Sequence, residues 1–197
     1  DSILVGFTMY RVFQSSIMSG LNAIPDPNGG LKCERVPTKV LLSATVYHRL
    51  IDIFLQTILI TIILIIYFKI PIVGGMLFLL LAQVMGFLSF GLGSIISPAV
   101  ARIPDIKTIV GYVLRLGFYA SPALYPMYKM TGTHYLVNTY NPFAFFAELG
   151  RDILGIKSVF NDLSTISFSI ILSVLLIFTI IGFARIDYLR WRMTTWS

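Results

Sequence analysis

Three ionisable side chains interrupt long apolar stretches of this chain: Arg11, Asp52 and Arg115. On insertion scales a charge at the bilayer centre costs about 2.5–3.5 kcal/mol, so such a side chain is expected to face a partner, the interface or a wet cavity. For Asp52 the spacing supplies a simple answer, because Arg49 lies three residues earlier and the two can form an interfacial pair. Arg11 and Arg115 are the better candidates for a hydrophilic path. Their structural alternative is a salt bridge or a side chain that snorkels to the interface.

Aromatic residues make up 14% of the chain, and Tyr10, Phe13, Tyr112, Phe118, Tyr119 and Tyr125 fall in the same apolar stretches as these arginines. A sugar ring has an apolar C–H face and polar edges, so tyrosine and phenylalanine can stack on it while its hydroxyls stay wet. Around Arg115, Gly111 and Tyr112 occupy i−4 and i−3, and Phe118 and Tyr119 occupy i+3 and i+4. One helix face therefore presents a cation between rings, a chemistry suited to an anionic glycan or a pyrophosphate. Core packing and interfacial belts are the other common use of membrane aromatics.

Catalytic groups are harder to assemble. The nearest approach to a phosphate-binding G-x-x-x-x-G-K-[ST] loop is Gly155-Ile156-Lys157-Ser158, which lacks the upstream glycine that lets backbone amides wrap phosphates. The chain is not expected to hydrolyse ATP itself. His48 and His134 are predicted on opposite sides of a membrane, and no serine stands in a nucleophile elbow. The single Cys33 cannot form an intrachain disulfide, and without a cysteine or histidine cluster no bound metal or cofactor is expected.

The elements that position these residues follow from composition. The 197 residues are 56% hydrophobic and only 12% charged, with a mean hydropathy of +0.84. An ordinary soluble domain carries about 25% charged residues. Half that charge leaves too little polar surface for a water-soluble globule, which argues against a soluble enzyme. The net charge of +6 comes from bases scattered singly between apolar runs, so basic loops at a membrane surface explain it better than nucleic acid.

A helix crosses the hydrocarbon core with about 20 mostly apolar residues. Five stretches qualify: about Ser2 to Ile24, Leu50 to Phe68, Ile70 to Ala101, Thr108 to Met127, and the run between Asp162 and Arg185. The fourth contains Ser121-Pro122, so its end is predicted to bend or re-enter. In the third, Ala82, Gly86, Ser89, Gly93 and Ser97 form a stripe of small residues that lets helices approach closely. Loops with Lys32, Arg35, Lys39 and Arg49, with Arg102 and Lys107, and with Arg185, Arg190 and Arg192 hold nine bases. The alternate loops hold only Lys69, Lys129, Arg151 and Lys157. The first set is assigned to the cytoplasm, together with the C-terminus. The first apolar run has no positively charged start and no small-residue cleavage site, so it is not expected to be a signal peptide, and since this first visible span would start outside, one preceding span is expected, making six in the intact protein.

The outer segment after the fourth span, residues 128–162, is long, and long ordered loops tend to be functional. Asn141 suits an N-cap, Pro142 the first helical position and Gly155 the stop, which predicts a helix from Phe143 to Leu154. Phe146, Leu149 and Ile153 share one stripe, and Glu148, Arg151 and Asp152 another, so this helix is expected at or dipping into the outer interface.

The order of Arg35-Val36-Pro37, a glycine-rich span, Ala101-Arg102-Ile103-Pro104-Asp105-Ile106, Ser121-Pro122-Ala123-Leu124-Tyr125-Pro126 and Asn141-Pro142-Phe143 followed by Arg151 resembles the permease subunit of type-2 ABC exporters for cell-surface polysaccharides of the capsule, O-antigen and teichoic-acid kinds. The resemblance covers essentially the whole chain. It implies an all-α, polytopic helical membrane protein, a single permease domain over residues 1–197, in the bacterial cytoplasmic membrane. It implies a second copy of the chain and a separate ATP-binding cassette subunit that uses ATP and Mg. It also implies a lipid-linked glycan as cargo. By the same resemblance residues 25–39 form the coupling loop, with Glu34, Arg35 and Pro37, and Arg102, Asp105 and Lys107 form a second ATPase contact. The stretch Pro25-Asp26-Pro27-Asn28-Gly29-Gly30 is richer in turn formers than a helical coupling element requires. The rival readings are a drug or lipid exporter of the same fold and a membrane-embedded enzyme acting on lipid-linked sugars. The enzyme would need clustered carboxylates or histidines.

Overall fold

A computed structural model describes residues 1–24, 38–160 and 165–193. The described residues form an all-helical protein: α1 (Ser2–Leu21), α2 (Thr38–Phe68), α3 (Ile72–Arg102), α4 (Asp105–Ala120), α5 (Gly132–Thr139), α6 (Pro142–Ile153) and α7 (Thr165–Met193), with a 3-10 turn at Met127–Lys129. Local signals explain most of the ends. Asp1 caps α1 through Ser2 N, and Lys69, in the left-handed region at φ 53°, turns the chain between α2 and α3 just before Pro71. The second helix starts twelve residues before Leu50, because Val40, Leu41, Leu42, Ala44 and Val46 extend its apolar, helix-compatible sequence between the polar positions. Coupling-loop residues Glu34, Arg35 and Pro37, and Cys33, lie outside the described residues.

The central element is α3, which packs most extensively against α1 and α7 and then against α2. Its small residues make this possible. A Cβ on Gly93 would collide with the Ile17 carbonyl of α1, one on Gly20 with the Phe90 carbonyl of α3, and one on Gly86 with the Ile53 side chain of α2. Ser89, Ser94 and Ser97 are buried on the same helix, and Ser97 Oγ accepts from Ile24 N at 3.0 Å, tying the end of α1 to α3. Buried hydroxyls here and on other helices bond back into their own helices: Thr57 Oγ1 donates to the Ile53 carbonyl, Ser89 Oγ to that of Met85 and Thr179 Oγ1 to that of Leu175. Such back-bonding satisfies a hydroxyl without a partner from another helix.

The outward surface is apolar. Leu55, Leu59, Ile62 and Ile66 on α2, Ile72, Val73, Met76 and Leu80 on α3, and Ile170, Ile177 and Ile180 on α7 are all exposed. The segments Leu42–Phe68 of α2 and Ile72–Arg102 of α3 are each long and apolar enough to cross a membrane, and the described apolar part of α7 is Ser169–Arg185. At 16 residues α4 spans about 24 Å, short of a hydrocarbon core of about 30 Å. The helix stops at Ala120, where Ser121 turns to extended backbone just before Pro122, so the predicted break falls at the Ser-Pro step.

Candidate conduit face and outer hub

Residues singled out as conduit candidates separate into two groups. Tyr10 is 2% exposed. Its ring packs edge-on against Phe118 and Phe143, with Phe13 beside it, and its hydroxyl donates to the Leu114 carbonyl of α4. Ring and hydroxyl of Tyr10 thus join α1, α4 and α6, a packing role beside the conduit role expected of it. Phe13 and Phe118 are half-buried in the same aromatic cluster.

The second group is exposed: Arg11 on α1, Tyr112, Arg115 and Tyr119 on α4, and Tyr125 in the following turn. Arg115 stands 5.8 Å from the centre of the Tyr112 ring, and no acidic partner accompanies it among the described residues. Of the rings that the spacing places around Arg115, Tyr112 is the one within cation–π reach, on an open face of α4 of which only Leu114 is buried. Arg102, Asp105 and Lys107 are exposed together where α3 hands over to α4. Asp52 pairs with Arg49 at 3.9 Å, as the spacing suggests, and also with His48 at 3.3 Å. Arg49 in turn donates to Ser15 and Ser16 of α1.

The most constrained polar site lies on α6, within residues 128–162. Asn141 caps α6 by accepting from Phe143 N at 3.0 Å, and Gly155, at φ +69°, follows its end. The helix is in place, but its orientation differs from expectation. Glu148 and Arg151 are both 0% exposed, whereas Leu149 and Ile153 are only half-buried. Glu148 and Arg151 face inward because partners wait there, while Phe146 is buried as well and Asp152 is half-buried. Arg151 Nη1 donates to Glu148 Oε1 at 2.5 Å, its Nη2 to the Pro122 carbonyl at 2.6 Å and its Nε to the Ser2 carbonyl at 3.4 Å. Glu148 also accepts from Met127 N at 3.0 Å and Val159 N at 3.1 Å. Burial pushes the Arg151 guanidinium below its ordinary value, and the Glu148 carboxylate opposes that.

One ion pair thereby fastens the start of α1, the Ser-Pro turn after α4, the 3-10 turn and the loop after α6. Space has been made for it: a Cβ on Gly6 would collide with both the Ala123 carbonyl and the Arg151 guanidinium. Sequence reasoning missed α5, which has no strong apolar period. It serves the end of α4, where His134 Nε2 and Asn138 Nδ2 both reach the Ala120 carbonyl, at 2.9 and 3.0 Å. Among the described residues no group of three histidine, cysteine or acidic side chains could hold a metal ion. The chain matches no protein-family model and no curated protein.

Proposed function

We propose that this chain is the permease subunit of an ATP-driven exporter that moves a lipid-linked polysaccharide across the bacterial cytoplasmic membrane. In this reading α1, α2, α3 and α7 are spans of a polytopic protein and α4, too short to cross alone, makes a fifth together with the chain beyond its Ser-Pro break, with α5 and α6 re-entrant on the outer side. Two copies of the chain pair with separate ATP-binding cassette subunits, which bind ATP and Mg. The observation that carries the reading is the convergence of the motifs on which the family resemblance rests. Arg151 reaches the Pro122 carbonyl of the Ser121-Pro122 turn at 2.6 Å from a helix that Asn141-Pro142 begins. Motifs 20 to 30 residues apart thus form one outer structure. The open face of α4 with Tyr112, Arg115 and Tyr119 supplies a cation and rings for an anionic glycan. Residues 25–39 and the α3–α4 junction receive the ATPase.

The test is co-expression with an ATP-binding cassette subunit encoded beside glycosyltransferases, followed by co-purification and export measured in inverted vesicles. Charge reversal at Arg102 and Lys107 is expected to weaken the complex. Transport that proceeds with neither ATP nor any ATPase subunit would overturn the reading.

A further inference from the structure

The buried Glu148 carboxylate bridges two segments that are distant in the chain, Met127 through Oε1 and Val159 through Oε2. Directly outside those two anchor points stand Tyr128, Lys129 and Lys157, all exposed. Lys129 Nζ lies 5.8 Å and Lys157 Nζ 4.9 Å from the centre of the same Tyr128 ring. Neither ammonium has an acidic partner among the described residues: Glu148 is committed to Arg151, and Asp152 accepts from Ser158. Two uncompensated cations within reach of one ring attract an anion to that ring. Beneath the patch Met127, Met130, Phe145 and Val159 pack into a small apolar core that fixes both segments.

We infer that Tyr128, Lys129 and Lys157 form a binding site for the phosphate of an anionic phospholipid headgroup at the outer face of the membrane. The occupant follows from the surroundings. Tyr125, three residues before Tyr128, is exposed, and so are Leu136, Val137 and Tyr140 on α5, the next helix, so this stretch of chain carries exposed apolar and aromatic side chains as well as the two cations. That combination matches the boundary between acyl chains and headgroups, where tyrosine rings and lysine ammoniums settle. A freely soluble phosphate would have no use for the apolar part. The inference rests on membrane placement and not on polysaccharide export, so its failure leaves the ATPase test untouched.

The experiment uses the full chain purified in a neutral detergent, with binding of phosphatidylglycerol and phosphatidylcholine read by native mass spectrometry. Phosphatidylglycerol should be preferred. Each of Lys129→Gln and Lys157→Gln should weaken it about fivefold and the double variant about 30-fold, while phosphatidylcholine binding stays unchanged. The charge-preserving Lys129→Arg with Lys157→Arg should keep the preference, and thermal unfolding of all variants should match the parent, since both lysines are exposed. If the double glutamine variant does not fold, Lys157→Gln alone carries the test. Unchanged phosphatidylglycerol binding in the glutamine variants overturns the proposal. Full competition by inorganic phosphate at equal concentration also overturns it, because the site would then take a free anion.

Discussion

Arg151 and Glu148, one turn apart on α6, meet at 2.5 Å with neither side chain reaching solvent. The pair contributes more than its mutual attraction, since it accepts or donates to main-chain groups of Ser2, Pro122, Met127 and Val159. A guanidinium and a carboxylate satisfied in this way link four stretches that share no secondary structure.

Replacing Arg151 with methionine should therefore destabilise the protein by about 3–5 kcal/mol, because the variant strands a buried carboxylate. Replacing Glu148 with glutamine in the same protein should recover part of that loss by removing the stranded charge. Thermal unfolding of the two variants in detergent measures both effects. Equal stability of Arg151→Met and the parent would show that the pair does not hold these four stretches together.

Arg115→Leu should leave folding intact, since this side chain is exposed and touches only the Tyr112 ring. Under the export reading, glycan transport and substrate-stimulated ATP hydrolysis should fall. Tyr10→Phe should do the reverse, costing about 1 kcal/mol through the lost bond to the Leu114 carbonyl while leaving the exposed face of α4 unchanged. Normal export by a destabilised Arg115→Leu protein would remove Arg115 from the conduit.

Gly93→Ala places a methyl against the Ile17 carbonyl where α1 crosses α3, and should cost about 1–3 kcal/mol by forcing the helices apart. Gly111→Ala is the control. Its new Cβ meets only Met18 Cε at 3.9 Å, and it should be neutral or slightly stabilising, as alanine favours the helix. Denaturation midpoints of the two variants should differ in this order.

Asn141→Ala should weaken α6 by about 0.5–2 kcal/mol, through loss of the side-chain acceptor for Phe143 N. Hydrogen exchange at the first turn of α6 should rise before exchange elsewhere changes. Uniform protection in the variant would mean that tertiary contacts alone hold the helix start.

Cysteines placed at Thr131 and Lys157 should react with an impermeant reagent from outside the cell, and Cys33 only after permeabilisation, given nine bases on one set of loops and four on the other. Labelling of Cys33 in intact cells would invert the proposed topology.

Much of the helical framework was legible because its signals are local. Apolar runs bounded by polar residues mark α1 and α3, Ser121-Pro122 marks the end of α4, and Asn141, Pro142 and Gly155 frame α6. The Arg49–Asp52 pair and the small stripe of α3 were likewise written in spacings of three and four. The inward turn of Glu148 and Arg151 was not. An amphipathic pattern orients a helix only when water lies on one side of it, and the surface of this fold is largely apolar. Exposed Leu59 or Ile66 and buried Leu64 carry the same chemistry, so hydrophobicity cannot tell outside from inside. For Tyr10 the same ambiguity hid a packing role behind a residue type that also suits sugar.

The sequence by itself determined the start of α1, the break at the end of α4 and both ends of α6, because caps and prolines act within a few residues. Only the tertiary structure decided which faces are inside. That choice depends on glycines that let α1 and α3 touch, and on carbonyls and amides of Ser2, Pro122, Met127 and Val159, each brought to α6 from elsewhere in the chain to satisfy charges that could not be buried alone.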